Sequence, residues 1–145
     1  LILRTDQPYS WNEKWHHTNS VIRVIENLKK NETFNEITDW YNTPTYVPDF
    51  VTATIKLIEN NHQGIFHLVG SDFINRFSWA KKTAKFFNLK NELIIPIHSS
   101  ELKLSVERKN IHLNNDKLFK KTKHKMIGID DGLESMVNAY NNNYS

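Results

Sequence analysis

Ile65-Phe66-His67-Leu68-Val69-Gly70 is the clearest strand in this chain, and it is almost uninterrupted in its apolar character. A strand with one wet face alternates apolar and polar residues. A continuous run predicts burial on both faces, as in parallel sheets covered by helices. The flanking segments agree. Asp49 is placed to cap a helix whose buried stripe would be Val51, Thr54, Ile55 and Ile58, and Gly64 suits the left-handed turn that ends it. Beyond Gly70, Ser78 is expected to start another helix, with Trp79, Ala80, Thr83, Ala84 and Phe87 facing inward.

The remaining elements keep the alternation. Leu1-Ile2-Leu3-Arg4-Thr5 reads as a buried strand, followed by a loop from Pro8 to Asn19 that carries Tyr9, Trp11, Trp15, His16 and His17. Val21, Ile22, Val24, Ile25 and Leu28 recur at helical spacing behind Ser20 or Asn19 as N-cap. Residues 34–38 alternate as a half-buried strand does, and residues 39–48 predict loop with short extended pieces around two prolines. Pro96 confines a strand at residues 93–97 to an edge. Asn114, Asn115 and Asp116 precede one helix, and Asp130-Asp131 precede a last one with Leu133, Met136, Val137 and Tyr140 on one face. Strands alternating with helices argue for an α/β fold, and no linker divides the 145 residues.

Composition removes several functions. There is no cysteine, hence no disulfide, thiol nucleophile or cysteine-type zinc site, which fits a cytoplasmic protein. The seven histidines share no metal-ligand spacing. No apolar run approaches the ~18 residues a membrane span needs. The net charge of +3 is scattered except for Lys117, Lys120, Lys121, Lys123 and Lys125. The plainer reading of that run is a solvated helix end; the other is a phosphate-attracting surface. None of the four glycines forms a phosphate-cradling loop, and no Tyr-x-x-x-Lys pair occurs. Opening in mid-strand without Met, the chain is expected to be cut from something longer.

Five stretches, in order, carry a resemblance. Residues 2–11 resemble the strand and loop that follow the catalytic helix of extended short-chain dehydrogenases. Asp39-Trp40-Tyr41-Asn42-Thr43-Pro44-Thr45-Tyr46-Val47-Pro48-Asp49 looks like the PTY-x-x-D stretch of dTDP-4-dehydrorhamnose reductases, with Asn42 where that family commonly has Gly or Ser. Residues 64–70 are similar to their His-containing strand, Phe77-Ser78-Trp79-Ala80 to their Ser-Trp helix start, and residues 107–114 to the segment before their Lys-Leu pair, here Lys117-Leu118. Lys109 replaces the usual proline, and Asp6-Gln7-Pro8 departs from Ser-Trp-Val.

The resemblance implies edge strands of a Rossmann-type parallel sheet (residues 2–5 and 65–69) plus a small α/β substrate-binding lobe. The dinucleotide-binding half, with its glycine loop and catalytic Tyr and Lys, would precede residue 1. It further implies a parent reductase that uses NAD or NADP on a nucleotide-activated 4-keto-6-deoxyhexose, whereas the isolated chain would bind no cofactor and catalyse nothing. Arg108 would approach the diphosphate, its planar fork suiting phosphate oxygens; a structural ion pair is the alternative. Gln7 and Tyr9, which follow a strand that the family places beneath nicotinamide and sugar, would touch the substrate, with Gln7 also touching the cofactor; loop packing is the alternative. Trp11, with Trp15, would wall the sugar pocket. Thr43 and Thr45 would offer hydroxyls, unless the Thr-Pro-Thr turn merely fixes the backbone. Two other functions stay open: a non-catalytic regulatory or scaffolding relative, and, more remotely, a basic nucleic-acid-binding module. Uncovered strand edges predict self-association near residues 1–5.

Overall fold

The computed structural model describes residues 1–12, 17–102 and 109–144. Trp15, His16 and Arg108 therefore lie outside the described residues, as does the rest of the stretch 103–108.

Strands and helices alternate as expected: β1 (Ile2–Arg4), β2 (Pro8–Tyr9), α1 (Ser20–Lys29), β3 (Phe34–Ile37), β4 (Tyr41–Asn42), β5 (Thr45–Tyr46), α2 (Val47–Glu59), β6 (Ile65–His67), β7 (Ile74–Asn75), α3 (Arg76–Phe86), β8 (Ile94–Ile97), α4 (Asp116–Thr122) and α5 (Ile129–Tyr144). They pair two by two. β1 runs parallel to β6, β2 to β5 and β3 to β8, while β4 and β7 are antiparallel. Pro96 indeed sits in a strand with one partner among the described residues.

Two packed regions result. In one, α2 and α4 cover a single face of the β1–β6 pair, where Ala53, Leu57, Phe66, Leu68, Leu118 and Met126 form a core and Leu3 packs against it. In the other, α1 buries Val21, Val24, Ile25 and Leu28 against α3 and β8, and α5 closes over Trp79 with Ile129, Leu133 and Met136.

Caps explain where the helices begin. The Asn19 carboxamide oxygen accepts from the N–H groups of Val21 and Ile22, both at 3.1 Å, which satisfies donors the first turn leaves open. α3 starts at Arg76 rather than Ser78, because Asn75 caps it by accepting from Ser78 N–H at 2.7 Å. α5 likewise starts at Ile129, whose N–H is taken by the Asp72 carboxylate at 2.7 Å. Gly64 adopts φ +98, the left-handed turn expected of it.

Two burial expectations are corrected. The buried stripe of α2 is Ala53 and Leu57, while Val51, Ile55 and Ile58 are 47%, 48% and 59% exposed. The helix is apolar on two faces, and the small Ala53 permits the closer approach to the sheet, which spacing alone cannot reveal. Asp49 does not cap that helix; Tyr46 occupies the position without a side-chain bond. The Asp49 carboxylate instead ties down the turn after α4, accepting from Ile127 N–H at 2.9 Å and pairing with His124 Nε2 at 2.7 Å. Nor is the β1–β6 pair buried on both faces: Leu1, Ile2 and Ile65 are exposed. Ile2 and Ile65 are register partners, so they stand together on the face opposite α2 and α4.

Candidate functional site

In open parallel sheets, ligands bind beyond the carboxyl ends of the strands. The segments leaving β1 and β6 emerge together at that end, joined by a bond from Leu68 N–H to Arg4 carbonyl at 2.8 Å. The segment after β1 is then stitched to the Thr-Pro-Thr turn. Asp6, nearly buried, accepts from Thr43 N–H at 2.8 Å, and its backbone carbonyl accepts from the Thr45 hydroxyl at 2.9 Å. Thr5 Oγ1 donates to Thr45 Oγ1 at 3.0 Å. At Gly70 a Cβ would collide with the Pro44 carbonyl oxygen, so this strand end and the turn meet at a distance only glycine allows.

Thr43 and Thr45 are buried, and their hydroxyls are turned inward to Asp6. They act on the backbone of the site, as a turn that fixes the chain does. Tyr9 is 1% exposed, with its ring between Tyr46 at 5.7 Å and Trp79 at 5.4 Å. Burial first, then the neighbouring Tyr46, pushes its phenol above the ordinary value and keeps it neutral. Trp11 leaves this group altogether. Its indole N–H donates to Met136 carbonyl at 2.7 Å, and it rests against Phe87 and Tyr140, lining a separate recess of about 250 Å³ with Lys29, Phe86 and Val137.

Gln7 is the half-exposed member of the cluster. Its φ of 42 is a left-handed conformation that side-chain-bearing residues rarely hold. Thr45 N–H donates to its carbonyl at 3.3 Å, and its side-chain Oε1 accepts from Arg76 Nη1 at 3.0 Å and Ser20 Oγ at 3.4 Å. Local strain of this kind persists where the surroundings over-determine it, and such residues concentrate at binding sites.

Arg76 and Glu36 carry no motif that singled them out from sequence. Glu36 is buried on β3, paired with Arg23 and 3.7 Å from Arg76 Nε. Burial, then the Arg76 guanidinium, lowers the Arg23 pKa. The Arg76 guanidinium also lies over the rings of Trp40 and Trp79 at 5.5 and 5.9 Å. The alternation of residues 34–38 could have flagged Glu36, because it puts a carboxylate on the buried face. Asn42, at the family's Gly or Ser position, is also buried, and neither atom of its amide has a hydrogen-bond partner among the described residues.

The family-like residues after 108 arrive beside this cluster. Tyr41 N–H donates to Asn110 Oδ1 at 2.8 Å, and Ile111 N–H donates to Tyr41 carbonyl at 3.2 Å. The family model for the RmlD substrate binding domain matches residues 1–142. The chain belongs to that family. Among solved structures it is similar to a dTDP-4-dehydrorhamnose reductase from Bacillus anthracis in complex with NADP, with a TM-score of 0.85 and 25% identity over 95% of this chain and 48% of that one. A Clostridium acetobutylicum dTDP-4-dehydrorhamnose reductase gives 0.82 and 19%, covering 97% and 48%. A Bacillus anthracis dTDP-glucose 4,6-dehydratase in complex with NAD gives 0.75 and 12%, covering 97% and 44%. The chain thus spans about half the length of these enzymes and shares the fold of that half. No curated protein sequence matches it.

The charged run spans α4 and the turn that follows it. Lys117 folds back to donate to Ile65 carbonyl at 2.7 Å, and Lys120 and Lys121 sit in the last turn, where cations suit the macrodipole. Among the described residues no helix is long and apolar enough to cross a membrane.

Proposed function

We propose that this chain is the substrate-side portion of an NAD(P)-dependent reductase acting on a nucleotide-activated 4-keto-6-deoxyhexose such as dTDP-4-dehydrorhamnose. The observation that carries the reading is the strained, half-exposed Gln7 at the carboxyl end of a parallel strand, in a chain matched almost throughout by the RmlD substrate-binding model. Gln7 would face the sugar and the nicotinamide. Asp6, Thr43 and Thr45 would hold its loop from beneath, and Arg108 would take the diphosphate, while Trp11 belongs to a separate recess and has no part in this reading. Tyr9 would support the floor through its packing.

The residues present do not form a dinucleotide site by themselves, since no glycine loop is available for a pyrophosphate. NAD or NADP would be held by a preceding dinucleotide-binding half, and this chain would offer it Gln7. The test joins the chain to such a half, with its Tyr-x-x-x-Lys, and follows NADPH oxidation with dTDP-4-dehydrorhamnose. Turnover by the joined protein, with neither turnover nor NADPH binding by the 145-residue chain alone, supports the reading. A joined protein that binds NADPH but does not turn over argues for the regulatory or scaffolding relative. NADPH binding by the isolated chain refutes the division of labour.

A further inference from the structure

We propose that Arg76 is a positioning residue, acting through Gln7 to fix which edge of the Gln7 amide meets a ligand. The idea rests on the reading above that Gln7 faces the substrate. A glutamine amide can turn over, exchanging its acceptor edge for its donor edge at little cost. A guanidinium settles the choice, because it has N–H donors and no acceptor. Arg76 Nη1 lies 3.0 Å from the Gln7 side-chain oxygen, so that oxygen must face the arginine. The Ser20 hydroxyl, at 3.4 Å, adds a second donor to the same atom. Both N–H groups of Nε2 are then left for an incoming oxygen, and among the described residues nothing else bonds to them.

Arg76 is itself well placed to impose this. Its backbone N–H donates to Trp40 carbonyl at 3.2 Å at the start of α3. Its guanidinium lies 3.7 Å from the buried Glu36 carboxylate and over the Trp40 and Trp79 rings. A planar fork restrained this way loses little further freedom when it binds the amide. The ligand class follows: Gln7 presents donors only, so it selects an acceptor oxygen, a carbonyl or the lone pair of a hydroxyl.

The chain has two glutamines, Gln7 and Gln63, so selective ¹⁵N labelling yields two side-chain amides, and Gln7→Ala assigns them. The Gln7 pair is expected away from the position of an exposed amide. It should move to that position in Arg76→Gln and stay between the two in Arg76→Lys, which keeps the charge but not the fork. In parallel, dTDP-rhamnose, the reduced sugar nucleotide, is titrated into wild type, Gln7→Ala, Arg76→Gln and the double variant. Each single change should weaken binding by about three- to tenfold, the scale of a lost hydrogen bond, and the double change no further. Losses that multiply, or a Gln7 amide signal indifferent to Arg76, overturn the proposal. If wild type ignores dTDP-rhamnose, the functional reading fails, and the amide signal alone then decides the role of Arg76.

Discussion

Gly132→Ala offers a direct test of how tightly the core beneath the candidate site is closed. Gly132 lies in the first turns of α5, with its N–H bonded to Gly128 carbonyl at 3.1 Å. By helix propensity alone the exchange should stabilise by up to about 1 kcal/mol. The structure opposes it. An added Cβ would overlap the Tyr9 hydroxyl, lie 3.0 Å from Tyr9 Cζ and 3.3 Å from Tyr46 Cβ. Tyr9 has nowhere to retreat, because its ring is buried between Tyr46 and Trp79. Overpacking a closed core costs about 1–3 kcal/mol, and overlap with a rigid buried ring belongs at the upper end. The expected net loss is about 2 kcal/mol, or about 6 °C in the thermal midpoint for a chain this long. Tyr9→Phe removes the colliding oxygen and should restore most of the loss in the double variant, a coupling thermal or urea unfolding can measure. A Gly132→Ala protein as stable as wild type, or a loss untouched by Tyr9→Phe, would refute this account of the packing.

Two further outcomes follow from other parts of the molecule. The Ser99 hydroxyl donates to Asp39 Oδ2 at 2.5 Å and the Ser99 N–H to Oδ1 at 2.9 Å, which together hold the Asp39 carboxyl below the usual carboxylate range, the hydroxyl foremost. A depressed carboxyl contributes stability above its unfolded pKa and loses it as pH falls through its folded one. Ser99→Ala should therefore move the Asp39 titration upward, as read by carboxyl NMR; an unmoved titration removes Ser99 as the cause. The edge of β1 that has no partner among the described residues, with the exposed pair Ile2 and Ile65, should also make the chain self-associate. Sedimentation over about a hundredfold range of concentration should show mass rising, and Ile2→Lys should suppress it; monomer mass throughout would refute the expectation.

How much of this was legible in the sequence depended on the range of the interaction involved. α1 and α3 were readable because Val21, Val24, Ile25 and Leu28, or Trp79, Ala80, Thr83 and Ala84, repeat at helical spacing and one stripe is plainly the more apolar. α2 was misread for the same physical reason. It carries two apolar stripes, and the choice between them is made by what lies across the sheet. The helix starts slipped where a cap came from an unanticipated side chain, Asn75 for α3 and Asp72 for α5.

The site divides along the same line. Gln7, Thr43 and Thr45 were singled out because short ordered stretches carried the family resemblance, and the fold does bring them together just beyond β1 and at the start of β5. What sequence could not give was the direction each side chain takes. Thr43 and Thr45 turn inward because Asp6, two residues beyond Arg4, places a carboxylate and a carbonyl within their reach. Trp11 departs because the Met136 carbonyl, on a helix more than a hundred residues later, captures its indole. Arg76 and Glu36 stayed invisible because a lone charge in sequence is most often a solvated one. Only the packing of β3 against the start of α3 brings them together as a buried ion pair behind Gln7. A side chain that bonds to the strained residue is thus found by following the bonds outward from it, since its own neighbourhood in the chain carries no mark of that contact.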